Sequence, residues 1–246
     1  MKTKPREPIL NELFHHTQID PHKSASSLSD YILGGQDGLV NVLGVVLGIA
    51  AATNDPRIVL VAGLATTFAE SISMGAVAYT TTLADADLYQ SEREREYRHI
   101  LETPHLEIKE VRDIYESKGF KGELLDHIVS TITANQDVWV AVMMAEEHRL
   151  APIDRGTALR SALIVGFAAV IGSLVPLAPF LFLPVSTSMW ASVLVTALVL
   201  FGIGAYKARV TVGTPMKSGF EMAVIGTVSA LAGYLVGFLL KVPPVP

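Results

Sequence analysis

One carboxylate, Glu70, lies near the centre of an otherwise uncharged stretch that runs from Ile58 to Leu83. About 20 apolar residues are enough for a helix to cross a bilayer, so this stretch predicts a membrane span. A charged side chain in the middle of a span costs at least about 2.5 kcal/mol and therefore usually marks an ion or proton pathway. Met74 follows one helical turn later on the same face. Glu70 and Met74 thus predict a route for a charged species, with a structural hydrogen bond from Glu70 to a neighbouring helix as the alternative.

A second membrane carboxylate, Asp37, lies near the beginning of the preceding apolar stretch, within the sequence GGQDGLVNV. At a helical rise of 1.5 Å per residue, Asp37 is only about 9 Å from Tyr31, where that span is predicted to begin. Asp37 is therefore a candidate for the same route, with an interfacial or capping role as the alternative.

The third group of ligand-type side chains lies in a charged segment, residues 84–155, which holds most of the chain's 24 acidic residues. Its candidates recur at helical spacing, which places them in three groups, each on one helix face. They are Glu92, Glu96 and His99, then Glu107 and Glu110, then Met143, Met144 and Glu147. Carboxylates with an imidazole suit divalent first-row metals, and thioether sulfur shifts the preference away from calcium and magnesium. The alternative is a solvated charged face, because arginines alternate with glutamates in SEREREYRH.

Composition places these groups in a membrane protein. Half of the 246 residues are hydrophobic and 17% are charged, whereas a soluble domain carries about 25% charged residues. The absence of cysteine excludes disulfides, thiolate zinc sites and a cysteine nucleophile. No apolar signal-peptide region follows the basic residues of the N-terminus, so the first span is expected to serve as its own insertion signal. Five spans are predicted, at residues 31–53, 58–83, 157–181, 188–206 and 219–240. Asn54, Asp55 and Pro56 predict a tight turn between the first two.

The charged segment has the periodicity of amphipathic helices, and Pro104, Gly119 and Gly122 interrupt it. Three helices are predicted, at residues 85–101, 106–118 and 121–149. The predicted fold is therefore an all-α membrane protein with five transmembrane helices and a three-helix domain inserted between the second and third. The predicted divisions are an arm at 1–30, spans at 31–83, an acidic metal-binding domain at 84–155, spans at 156–240 and a tail at 241–246.

Lysine and arginine predict the orientation. With the N-terminus inside, 17 of the 19 basic residues lie in the segments on the inner side, and only Arg57 and Lys241 lie outside. Cytoplasmic loops carry such an excess in membrane proteins. The arm and the acidic domain are therefore expected to be cytoplasmic and the tail to lie on the other side.

Four sequence elements together resemble the vacuolar iron transporter family over about residues 28–240. They are GGQDGLVNVLGVVLGIAAA, GLATTFAESISMGAVAY, PHLEIKEVRDIYESKGF and VMMAEEHRL. The chain departs from the family pattern at His99, where relatives commonly have a second glutamate one turn after Glu96. It also has Ala78 where many relatives have a glutamate.

The resemblance implies proton-coupled export of Fe²⁺, often with Mn²⁺ accepted, by a homodimer that is not an enzyme and holds no prosthetic group. It implies capture of the ion by Glu96, Glu107, Glu110, Met143 and Glu147, and a membrane route lined by Asp37, Glu70 and Met74. Metal ions, protons and the lipid bilayer are the expected partners, and no nucleic acid is expected. The expected location is the inner membrane of a prokaryote or the vacuolar membrane of a eukaryote.

A membrane-anchored di-iron oxidase or ferritin-like store is the alternative. That chemistry requires two E-x-x-H motifs on facing helices. Glu96 and His99 supply one motif, but Pro104 interrupts the other, which would join Glu102 to His105. An oxidase also leaves Glu70 without a role.

Overall fold

The structure, a computed structural model, describes residues 26–241, and this range contains helices but no strand. The predicted arm and tail therefore lie largely outside the described residues. Eight α-helices and one 3₁₀ turn make up the described range. In chain order they are α1 (Ser26–Thr53), α2 (Pro56–Glu102), α3 (Pro104–Ser117), α4 (Gly122–Thr133), α5 (Gln136–Glu146), α6 (Thr157–Leu177), the 3₁₀ turn (Ala178–Leu181), α7 (Val185–Val210) and α8 (Pro215–Leu239).

Five of these helices are long and apolar enough to cross a membrane, which confirms the number of spans expected from the sequence. They are α1, α2, α6 with its 3₁₀ extension, α7 and α8. The tight turn predicted at Asn54 and Asp55 is present, and the Asp55 carboxylate caps α2 by accepting a hydrogen bond of 2.8 Å from the backbone N–H of Arg57. Because α2 contains 47 residues, it is about 70 Å long, more than twice the hydrocarbon thickness of a bilayer.

The chain divides into two compact units. The span unit comprises Met1–Met74 and Leu163–Pro246, and the insert unit comprises Gly75–Ala162. Helices α2 and α6 contribute residues to both.

Helix α1 forms the core of the span unit, because its buried residues belong to all three apolar clusters found there. Val42, Val46 and Ala50 belong to one cluster, Leu39 to a second, and Leu43 with Leu47 to the third. Residues on α7 and α8 pack in these clusters. The helix that carries Asp37 is therefore held in place by packing against its neighbours.

Small residues bring α1 and α8 together. A G-x-x-x-G pair on α1, Gly44 and Gly48, faces a second pair on α8, Gly233 and Gly237. Gly233 lies against the backbone of Gly44, and Gly237 lies against that of Gly48. A Cβ added at Gly237 would overlap the carbonyl oxygen of Gly48. Lipid tails are as apolar as the helix surfaces, so the hydrophobic effect does not drive helices together inside a bilayer. Close packing of small residues such as these glycines drives helix association instead.

Buried serines stabilise the proline-rich link between α6 and α7. Helix α6 ends at Leu177, the 3₁₀ turn follows, and α7 begins at Val185. The Ser192 hydroxyl donates a 2.7 Å hydrogen bond to the carbonyl oxygen of Pro176, and the Ser188 hydroxyl lies 3.1 Å from the carbonyl oxygen of Pro179. These contacts join the first turns of α7 to the proline-rich link.

The insert unit differs from its sequence prediction in two places. Its first predicted helix is not separate but is the continuation of α2, and the predicted helix at 121–149 is two helices. The break follows from Asn135, whose side chain accepts hydrogen bonds from the backbone N–H groups of Asp137 and Val138 and so begins a new helix. Because the apolar periodicity continues across the break, the sequence pattern alone does not indicate that a new helix begins after Asn135.

One apolar cluster joins all four helical segments of the insert unit. Ile100 comes from the end of α2 and Val111 from α3, and the other members come from α4 and α5. Those others are Leu125, Val129, Ile132, Trp139, Val140, Met143 and Met144. This core fixes the relative positions of the acidic side chains described below.

We predict that Gly237→Ala destabilises the protein by about 1–3 kcal/mol, because the new methyl group forces α1 and α8 apart. Gly202→Ala on α7 is the matched control, since a Cβ added there would meet no atom of the described residues within 4 Å beyond its chain neighbours and the adjacent backbone of its own helix. Thermal unfolding of the purified proteins in detergent measures both. Equal midpoints for the two variants would show that the contact between the glycine pairs does not hold α1 against α8.

Candidate metal sites

A single residue, Thr103, connects α2 to α3. Pro104 cannot continue α2, because it lacks a backbone N–H and its ring clashes with the preceding turn, but it is well suited to the first turn of a new helix. The chain therefore changes direction at Thr103, and Glu107 in the first turn of α3 lies close to the last turns of α2. The Oε1 atom of Glu107 lies 3.5 Å from Nδ1 of His99 on α2.

Glu96 lies at the centre of this site. It is 2% exposed, and its Oε1 atom is 2.9 Å from Nε2 of His148 and 3.9 Å from Nδ1 of His99. Two groups of potential metal ligands share it: Glu96 with His99 and Glu107, and Glu96 with Glu147 and His148. Within each group the ligand atoms all lie within 4.8 Å of one another.

The second oxygens of two buried carboxylates are left without partners. Within residues 26–241, Oε2 of Glu96 and Oε2 of Glu107 are buried and have no hydrogen-bond partner. Buried polar atoms are almost always paired, so each exception requires an explanation, and an absent ion is one. These two oxygens are therefore available as ligands for a cation in the insert unit.

The pKa values of two acidic side chains at this site are raised. Burial, followed by the charges of Glu96, Glu110 and Glu147, raises the pKa of Glu107 to about 7. Burial also raises the pKa of Glu147, with the charge of Glu110 as the next cause. We call Glu96, Glu107, Glu110 and Glu147 the carboxylate cluster.

Basic side chains do not neutralise the carboxylate cluster. Throughout residues 26–241, none of its four members forms an ion pair with a lysine or arginine. Burial lowers the pKa of His148, but its contacts with Glu96 and the nearby Glu147 outweigh that effect and raise the pKa. An oxygen-rich, partly buried site with two imidazoles can bind a divalent first-row metal.

The structure places three predicted ligands away from the two groups. Both Glu92 oxygens accept hydrogen bonds from Arg95, at 2.9 and 2.7 Å. Met143 and Met144 are 0% and 1% exposed and pack in the apolar core of the insert unit. Met143 lies one turn before Glu147, and its carbonyl accepts the Glu147 backbone N–H at 3.0 Å. The roles of these three residues as ligands remain predictions.

Sequence reasoning did not identify His148. It comes immediately after Glu147, and one helical face cannot hold two consecutive residues, so helical spacing gave no signal for it. His148 joins the site because α5 has already ended at Glu146 and the chain turns there. The E-E-H order at a predicted helix end was the available signal.

A second polar site lies in the span unit. Nδ2 of Asn41 donates hydrogen bonds to Oδ1 of Asp37 at 3.1 Å and to Oε1 of Glu70 at 2.5 Å. Asn41 thereby links the carboxylates of two spans, α1 and α2. The second Glu70 oxygen is buried and has no hydrogen-bond partner within the described residues. Met74 is half-buried one turn further along α2.

Asn41 therefore connects Asp37 to Glu70, two residues that are predicted to line one route. Asn41 was not named, although it follows Asp37 by four residues and so shares its helix face. Two carboxylates and an amide can supply several oxygen ligands to a divalent cation once the shared amide donor moves aside.

Comparisons with known proteins identify the family of the chain. The sequence model of the VIT family matches residues 28–238 of the chain. Vacuolar iron transporter 1 of Oryza sativa subsp. japonica is 34% identical over 222 residues, which cover 89% of this chain and 88% of the relative. Vacuolar iron transporter 1 of Arabidopsis thaliana is 33% identical over 224 residues, covering 90% and 89%.

A more distant relative extends the similarity beyond plants. The vacuolar iron transporter of Plasmodium falciparum is 28% identical over 243 residues, covering 93% of this chain and 89% of the relative. The matched region includes all five candidate spans and the whole insert unit. The chain therefore belongs to the VIT family, the vacuolar iron transporter family that its sequence motifs resemble.

Proposed function

We propose that this protein moves divalent transition metal ions, Fe²⁺ and also Mn²⁺, out of the cytosol across a membrane in exchange for protons. The observation that carries the proposal is the carboxylate cluster, whose buried oxygens on Glu96 and Glu107 have no partners within the described residues. A cation there would satisfy both oxygens and offset the mutual repulsion of the four acids.

The span unit supports transport rather than storage. Asp37, Asn41 and Glu70 form a polar group on helices that are apolar enough to span a membrane. A store would have no use for an ionisable residue at that position, whereas a transporter needs a site that an ion occupies during passage. The three relatives described above are named as iron transporters.

Exchange with protons follows from the chemistry of carboxylates. A metal ion binds only the ionised carboxylate, so protons and metal compete for one oxygen. Glu107, with a pKa of about 7, changes its protonation state near neutral pH and is suited to such competition.

Orientation and assembly form part of the proposal. The distribution of basic residues favours a cytoplasmic insert unit, so that the carboxylate cluster collects ions from the cytosol. Apolar residues on one face of α2 are exposed in the single chain, among them Val61, Phe68 and Ile72. Five helices are few to enclose a pathway, and a homodimer that pairs such faces would provide one.

A di-iron oxidase is less consistent with the geometry. The second E-x-x-H motif that it needs would join Glu102 to His105, and these residues are exposed on opposite sides of the turn between α2 and α3.

We predict that Glu96→Gln and Glu107→Gln each weaken Mn²⁺ binding to the full-length protein at least about tenfold, because each removes a charged ligand from the site. Glu123→Gln is the matched control, since Glu123 is exposed in the first turn of α4. Calorimetric titration in detergent at pH 7.5 measures the dissociation constants. The capture site is wrong if all three variants bind Mn²⁺ as the wild type does.

We predict that Glu70→Gln lowers metal transport at least tenfold while binding at the insert unit is retained. Glutamine preserves the size of the side chain and can still accept the Asn41 hydrogen bond, so the variant removes mainly the charge. Glu221→Gln is the matched control, because Glu221 is exposed near the beginning of α8. Its one ion pair, with Lys217 at 3.9 Å among the described residues, is also exposed. Ion uptake into liposomes containing inside-out protein measures transport. Uptake by Glu70→Gln equal to that of the control would exclude Glu70 from the route.

We predict that the metal-free insert unit loses stability as the pH rises from about 4.5 to 7. In the unfolded chain Glu107 loses its proton near pH 4.5, whereas in the folded chain it keeps the proton until about pH 7. The unfolded state therefore binds fewer protons in this window, which lowers the free energy of unfolding as pH rises. Bound Mn²⁺ should oppose this loss increasingly with pH, because it requires ionised ligands.

Thermal unfolding followed by the fluorescence of Trp139 tests this, in a Trp190→Phe background so that only the insert unit reports. Each kcal/mol lost should lower the midpoint by roughly 5 °C. In Glu107→Gln the decline between pH 4.5 and 7 should be smaller. The same slope in both proteins would mean that Glu107 ionises normally.

A further inference from the structure

The feature that leads beyond the proposed function is the end of α5, where the chain turns to place a histidine beside Glu96. The backbone N–H groups of Glu147 and His148 both donate to the carbonyl of Met143, at 3.0 and 3.2 Å. Arg149 follows with a φ of +56°, a left-handed conformation that non-glycine residues adopt uncommonly. The N–H of Leu150 then donates to the carbonyl of Met144 at 2.9 Å. These bonds fix the backbone on both sides of His148.

The fixed backbone brings the imidazole to the most buried carboxylate. Nε2 of His148 is 2.9 Å from Oε1 of Glu96, and the side chains are 25% and 3% exposed. Glu147 contributes a third ligand atom within 4.8 Å of the other two. The Oε2 atom of Glu96 is buried and, within the described part of the chain, unpaired. One buried ligand atom of this group is thus available to an ion.

We propose that His148 is a metal ligand, which with Glu96 and Glu147 gives the insert unit a preference for ions that accept imidazole, such as Fe²⁺, Co²⁺ and Zn²⁺, over Mn²⁺. This rests on the proposed function, in which the insert unit binds the transported ion, and it adds a basis for choosing among ions. His99 adds a second nitrogen on the other side of Glu96, 3.5 Å from Glu107.

The distances fit this role. Two ligand atoms bound at about 2.1 Å to one ion lie about 3.0 Å apart when they subtend 90° and no more than about 4.2 Å apart in any arrangement. The 2.9 Å separation of His148 and Glu96 matches adjacent ligands. The other ligand atoms of the group lie within 4.8 Å of one another. A pair at that limit would have to move closer by at least about 0.6 Å to bind one ion.

Ligand chemistry gives the preference its direction. Carboxylate and water ligands suit Mn²⁺ and Mg²⁺, whereas imidazole suits Fe²⁺, Zn²⁺ and other later first-row ions. A site of four carboxylates alone would distinguish these ions less. A histidine that only held Glu96 in place by a hydrogen bond would affect every ion alike, and this difference makes the two roles separable.

The test titrates the full-length protein in detergent at pH 8 with Co²⁺, as an oxidation-resistant ion of this class, and with Mn²⁺. His148→Gln retains a side-chain donor for Glu96 but loses the imidazole, and His127→Gln is the control because His127 is exposed on α4. All proteins carry H15Q, H16Q and H22Q, so that the histidines before residue 26 do not contribute. We expect His148→Gln to weaken Co²⁺ binding about tenfold or more and Mn²⁺ binding less than about threefold.

The visible absorption of bound Co²⁺ should change in His148→Gln and not in the control, because it reports the atoms around the ion. His148→Glu provides a second variant: it restores a ligand, so Mn²⁺ should bind at least as tightly as to the wild type while the preference for Co²⁺ falls. An equal loss for both ions, or an unchanged Co²⁺ spectrum, would overturn the assignment of His148 and leave the capture site intact. Failure of the wild type to bind either ion would instead overturn the proposed function, and this inference with it.

Discussion

The burial of like charges is the constraint on which the insert unit depends. Glu96 and Glu107 are 2% and 4% exposed, and each has a carboxylate oxygen for which the described residues provide no hydrogen-bond partner. Removing an ionised carboxylate from water is costly unless it is paired, so a fold that gathers such groups needs a proton or a cation to compensate. The pKa of Glu107, raised to about 7 by burial and by its acidic neighbours, reflects this tension. A divalent ion would offset the cost of burying these charges while the carboxylates remain ionised.

The ends of two helices, α2 and α5, bring these acidic and histidine side chains together. Pro104 ends the course of α2 and begins α3, which returns Glu107 to the side of His99. The end of α5 and the left-handed Arg149 bring His148 to Glu96. The apolar core beneath, which includes Met143 and Met144, holds these helix ends in position. In the span unit the equivalent constraint is the packing of α1, whose buried face leaves Asp37 and Asn41 to meet Glu70 on α2.

Much of this could be predicted from the sequence, because hydrophobic length and helical periodicity are local signals. The five spans followed from apolar stretches, and the turn at Asn54 and Asp55 was recognised from its residue types. The break at Asn135 was missed, since the apolar period runs through it and only the capping side chain marks it. His148 and Asn41 were missed for a related reason. Their contacts depend on where one helix ends and which helix lies opposite, and neither fact is encoded in the spacing of ligands along one helix.

The proposed binding of a divalent ion by the partnerless oxygens of Glu96 and Glu107 can be observed in a crystal. Anomalous diffraction from crystals of the full-length protein grown with Mn²⁺ is the most direct measurement, because it locates the metal independently of the surrounding side chains. We predict an anomalous peak between Glu96 and Glu107, about 2.0–2.3 Å from a carboxylate oxygen of each. A structure at saturating Mn²⁺ with no peak there, or with peaks only at exposed acids such as Asp126, would contradict it.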